Sequence, residues 1–154
     1  MLENCDIKER WSGVEKLLDR WLRDRQTIIV QFCALSGVHV LSGTNASRNR
    51  LQNFCQLLLD YVSAGHFEVF YELVREAEAF ADGSAETARA LIPEINATTA
   101  RLLDFNDRYA ESTDAPIAWL ARDLSVLGEV LEERFALEDD LISATHYCHR
   151  ELVA

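Results

Sequence analysis

The sequence predicts an all-α protein, an antiparallel up-and-down four-helix bundle with long helices. Three observations lead there. Apolar residues recur at spacings of three and four along most of the chain. Six Gly and two Pro among 154 residues leave few interruptions. A 49% apolar content in a chain of this length fills one sizeable core but hardly two, so a single domain over residues 1–154 is expected. Long amphipathic helices joined by short links bury their stripes most simply side by side and antiparallel.

The first helix is expected over residues 14–35, where Leu17, Leu18, Trp21, Leu22, Ile28, Ile29, Phe32 and Leu35 share one side. Gly13 is expected to bend it away from a short turn around Trp11. Residues 36–47, with Gly37, Ser42, Gly43, Thr44 and Asn45, lack periodicity and read as the longest loop. The second helix covers 49–80 and closes at Asp82-Gly83, after which Ser84 offers a new N-cap. The third covers 85–109, with Pro93 either kinking it or starting a fresh segment. Ser112, Thr113 and Asp114 make the last turn, and Pro116 opens the fourth helix, 116–146.

The net charge is −11, from 26 acidic and 15 basic side chains. Phosphate contacts want Lys and Arg, so direct nucleic-acid binding is not expected, and a basic protein surface is the natural partner. The plainer reading is that the acidity only keeps the protein dispersed. Cys5, Cys33, Cys55 and Cys148 are scattered, and two of them fall in apolar helical stretches where a thiol packs as a small hydrophobe. A reducing, cytoplasmic setting fits this usage. The sequence opens without a basic-then-apolar leader and has no apolar run of about 18 residues, so neither secretion nor membrane insertion is expected.

The second helix presents two sides. At about 100° per residue, Leu58, Val62, Gly65, Val69 and Leu73 form one narrow stripe assigned to the core. A Gly there suggests close approach by a neighbouring helix. Asp60, Ser63 and Phe67 stack on another side, and Tyr71 and Val74 prolong that row. A helix touching two neighbours could bury Phe67 and Val74 without any partner. The alternative is a docking face, with an apolar anchor beside a carboxylate.

Reactive chemistry finds little support. Glu-x-x-His does not occur, which removes the di-iron ligand motif. A hemerythrin-like His followed four residues on by Glu also fails, because Phe70 follows His66 at that distance and Arg134 precedes Glu138. His146, Cys148 and His149 cannot all face one way on a helix, and His39 lies in the loop. No nucleophile elbow, Gly-rich phosphate loop or Walker sequence is present. The stripe Leu120, Leu124, Leu127, Leu131, Leu141 brings Glu138 against the core, where it needs hydrogen bonds. Arg134 is the first candidate, then His66 or Tyr61. The acidic run Glu129, Glu132, Glu133, Glu138, Asp139, Asp140 reads as a solvated face that could also steer a basic partner. No catalytic residue, cofactor or metal is expected.

Three blocks carry a family resemblance that extends over nearly the whole chain: Leu18-Asp19-Arg20-Trp21-Leu22, the segment from Leu58 to Phe67, and Leu131-Glu132-Glu133-Arg134-Phe135-Ala136-Leu137-Glu138-Asp139. In order and spacing they resemble the Rsd/AlgQ family of bacterial sigma-factor regulators. The resemblance implies an anti-sigma factor that holds the C-terminal region of the primary sigma factor and blocks its promoter and core RNA polymerase contacts, favouring alternative sigma factors. It implies partner-binding roles for Asp60, Ser63 and Phe67, with Leu17 of the first helix near Phe67, and Tyr71 joins the candidate site by its place in the same row. Some relatives regulate exopolysaccharide or siderophore production, so a further partner stays open. The competing classes are a metal-binding bundle and an acidic scaffold for another basic protein.

Overall fold

The computed structural model describes residues 2–36, 45–111 and 117–154. The helices are α1 (Leu2–Leu35), α2 (Asn45–Ala64), α3 (Phe70–Phe80), α4 (Ser84–Tyr109) and α5 (Ile117–Thr145). A π-helical turn, Gly65–Val69, joins α2 to α3, and a short 3₁₀ segment, Tyr147–Leu152, follows α5. The α2–π–α3 stretch forms one rod, so the architecture is the expected all-helical bundle of four rods, with no strand among the described residues. Most of the loop expected over 36–47, and the turn at Ser112, Thr113 and Asp114 with Pro116, lie outside the described residues.

The core runs the length of the rods, from Val14, Leu18, Trp21 and Ile28 of α1 to Leu127, Leu131 and Leu141 of α5, all at most 4% exposed. The inner stripe of the second rod is buried as expected, with Leu58, Val62, Val69 and Leu73 between 0 and 4% exposed. Gly65 lies where a Cβ would stand 3.0 Å from Cζ2 of Trp21. The close approach there is therefore made by an aromatic ring of α1. Trp21 also stacks on Tyr61 at 4.6 Å, meets Phe70 edge-on at 5.8 Å, and donates its indole N–H to the Tyr61 carbonyl at 3.1 Å.

Several local expectations are corrected. α1 starts at Leu2 and runs straight through Gly13, which is exposed and has open space where a Cβ would stand. An isolated exposed Gly disfavours helix by only about 1 kcal/mol. Trp11 offsets that loss from within the helix, stacking on His146 at 4.4 Å and donating to its carbonyl at 3.1 Å. α4 carries the exposed Pro93 without a break, so the carbonyl that loses its helical donor can turn to water. At the α3–α4 corner two residues adopt left-handed conformations, Ala81 (φ 53°) and Gly83 (φ 91°). The capping acceptor of α4 is Asp82, whose Oδ1 takes the Ser84 N–H at 3.1 Å and its hydroxyl at 2.6 Å; Ser84 is itself inside the helix. Of the thiols, Cys55 is buried, which pushes it up to about 12, whereas Cys33 is exposed.

Candidate protein-binding face

The outer row of the second rod separates into two groups. Phe67 is 77% and Tyr71 58% exposed, and Asp60 is exposed with one carboxylate oxygen taking the Gln56 amide at 2.8 Å. His66, also exposed, lies edge-on to Phe67 at 4.7 Å, and the Arg75 guanidinium sits 5.6 Å over the Tyr71 ring. Ser63 is half-buried, and Val74 packs against the core instead of continuing the row. The π turn explains the latter. It widens the helix between Gly65 and Val69 and turns the rows beyond it, which brings Val74 inward while Leu73 stays inside and Tyr71 outside. Leu17 is half-buried against the core and shares a surface groove with Arg20, Glu68 and Glu72, next along the rod from Phe67. Arg20 and Glu68 pair at 3.3 Å across it. The face is thus an exposed aromatic pair framed by carboxylates, with arginines at its margins.

Behind this face lies a buried polar network that the sequence showed only in part. Glu138 is fully buried and accepts from Arg134 Nε at 2.8 Å, from Arg25 Nη2 at 3.0 Å and from the Tyr61 hydroxyl. Burial pushes the Glu138 carboxyl up, while Arg134, Tyr61 and Arg25 pull it down. Arg134 also donates to Thr98 Oγ1 at 3.1 Å and Thr99 Oγ1 at 2.7 Å, and Arg25 reaches Asp139 at 2.7 Å. Arg134 and Tyr61 were foreseeable as partners. His66, the other candidate, faces away from the core. Arg25 was missed although it follows Trp21 by four and precedes Ile28 by three, which is core spacing. Such a network ties together all four rods and fits best as a device fixing helix register.

A second buried cluster was not anticipated. His146 is fully buried, with Nδ1 at 2.8 Å from Glu76 Oε1 and Nε2 against Glu15. His149 meets Asp82 Oδ2 at 2.7 Å and stacks on Phe80 at 3.8 Å. Burial raises the Glu76 carboxyl, and the hydrogen bond to His146 counters it. The signal was present: Glu76 follows Leu73 by three and Val69 by seven, on the core stripe. The carboxylates approach His146 from opposite ring nitrogens, so they do not converge on one point. Among the described residues no group of three or more His, Cys, Asp or Glu is placed to hold a metal ion. Nor is any helix there long and apolar enough to cross a membrane.

Comparison with known proteins places the chain in a family. The family profile described as "Regulator of RNA polymerase sigma(70) subunit, Rsd/AlgQ" matches residues 1–146. Regulator of sigma D from Enterobacter sp. (strain 638) is 38% identical over 141 residues, 89% of this chain and 84% of the relative. The protein of that name from Shigella dysenteriae serotype 1 is 35% identical over 147 residues, 92% of each chain. That from Yersinia enterocolitica is 31% identical over 140 residues, 88% of this chain and 84% of the relative. A profile spanning nearly all of the chain and relatives above 30% identity agree, and the chain belongs to the Rsd/AlgQ family of regulators of the RNA polymerase sigma(70) subunit.

Proposed function

We propose that this protein is a cytoplasmic, non-enzymatic anti-sigma factor. It binds the C-terminal, DNA-recognising region of the primary sigma factor through Asp60, Ser63, Phe67, Tyr71 and the neighbouring Leu17. The observation that carries the proposal is the 77% exposure of Phe67 beside an exposed Tyr71 and Asp60 in a chain of this family. A large apolar side chain held in water on a rigid helix is a ready anchor for a partner. The partner region is a helix-turn-helix whose basic surface meets DNA, so a protein of net charge −11 complements it and competes with promoter and core polymerase contacts. Alternative sigma factors gain polymerase as the primary one is withdrawn.

The test is titration of the isolated C-terminal sigma region against wild type and Phe67→Ala. A loss of roughly 2 kcal/mol or more, about 30-fold in Kd, is expected. Unchanged affinity would remove Phe67 from the interface. Failure of the wild type to bind would remove the partner.

A further inference from the structure

The seam between α1 and α5 is closed at one end by Arg25 of α1, which pairs with Asp139 and Glu138 of α5. Beyond that bridge it opens into a groove extending towards Ser36. Halfway along, Phe32 crosses from α1 and rests on α5 at Gly128, where a Cβ would come within 2.9 Å of its ring. This contact divides the groove into two lobes of about 400 and 460 Å³, which share Phe32, Gly128 and Glu132. Ile29, which is 36% exposed, and Phe135 line the first lobe, and Leu35 and Leu124 the second. The groove shares no residue with the Phe67 row.

Charge identifies the occupant. Three carboxylates of α5 are matched from within the fold, Asp123 by Arg108, Glu133 by Arg101 and Asp139 by Arg25, while Asp140, away from the groove, forms no ion pair among the described residues. Glu129 and Glu132, at the rim of the groove, form no ion pair among the described residues. An apolar trough with unmatched carboxylates along one wall suits a helix that is apolar on one side and basic on its flanks. Leu124 of one lobe and Leu131 of the other are seven residues apart on α5, ~10 Å of rise, which matches apolar residues two turns apart on an incoming helix. A second copy of the chain is a poor match, because it would bring another −11 of charge to the same rim.

We propose that the α1–α5 groove docks a basic amphipathic helix of a protein partner, at a site separate from the Phe67 face. Its i and i+7 apolar residues fill the lobes on either side of Phe32, and flanking Lys or Arg meets Glu129 and Glu132.

The proposal is tested with a fluorescein-labelled 18-residue helical peptide carrying Leu along one side and Lys on the flanks. Anisotropy is read against the full-length protein. Saturable one-to-one binding is expected, weakened at least ~10-fold by Ile29→Asp and by the pair Glu129→Lys/Glu132→Lys, weakened by added salt, and unchanged in Phe67→Ala. Melting curves establish that the variants are folded, and the exposed glutamate pair carries the test if Ile29→Asp is not. No saturable binding to wild type would overturn the proposal. Equal binding of a shuffled peptide or of one with Glu in place of Lys would also do so. Equal weakening by Phe67→Ala would assign the peptide to the other face, and self-association abolished by Ile29→Asp would assign the groove to a second copy.

Discussion

Arg25 of α1 and Glu138 of α5 stand 113 residues apart in the chain and 3.0 Å apart in space, with side chains 13% and 0% exposed. Glu138 is the shared acceptor for two guanidiniums and a phenol, so its removal leaves Arg134 buried with its Nε unmatched. Loss of one partner of a buried pair destabilises by about 3–5 kcal/mol. Glu138→Ala is therefore expected to lower Tm by roughly 6–20 °C. Arg25→Ala should do less, because its side chain reaches solvent. Equal or negligible losses, read by thermal and urea unfolding, would show that the network does not hold the rods.

Two glycine-to-alanine substitutions should have opposite signs. At Gly65 the new methyl would lie 3.0 Å from Trp21 and 3.3 Å from Phe70, so overpacking of about 1–3 kcal/mol outweighs any gain in helix propensity. At Gly13 the space is open, and removing a flexible residue from mid-helix should stabilise by up to about 1 kcal/mol. Denaturation midpoints of the two variants on either side of wild type are the expected result.

Phe67→Ala should separate binding from folding. With Phe67 77% exposed, the substitution should leave stability within about 0.5 kcal/mol of wild type while sigma binding falls. A variant that melts early would mean that Phe67 belongs to the core of the rod.

Acid sensitivity should have a component from Asp82. Hydrogen bonds from Ser84, with a further contribution from His149, lower its carboxyl from 3.8 to about 2. A group depressed in the folded state adds stability that is complete above its unfolded value and lost as pH falls through its folded value. The window is thus roughly pH 4 down to 2. Asp82→Asn should flatten the fall of Tm across that window, and parallel curves for variant and wild type would contradict the assignment.

How much was legible in the sequence depends on the range of the forces involved. Spacing left open whether a neighbouring helix buries Phe67, but periodicity is a local signal, so the four rods and the inner stripe at Leu58, Val62, Val69 and Leu73 could be assigned from it. The inward displacement of Val74 could not, because the π turn breaks the uniform step on which the assignment rests. The helical residues before Val14 were missed because the contact that supports them comes from His146, far along the chain. Glu76 and Arg25 were overlooked for a simpler reason: a charged residue at a core position reads as an interruption until its partner is known.

The Trp11–His146 contact has a consequence in time. Its two members are 135 residues apart, and at ~5–20 residues per second the second is synthesised roughly 7–27 s after the first. Throughout that interval the indole of Trp11 has neither its stacking partner nor its acceptor. The first turns of α1 would then lack this anchor on the nascent chain and gain it once His146 has emerged.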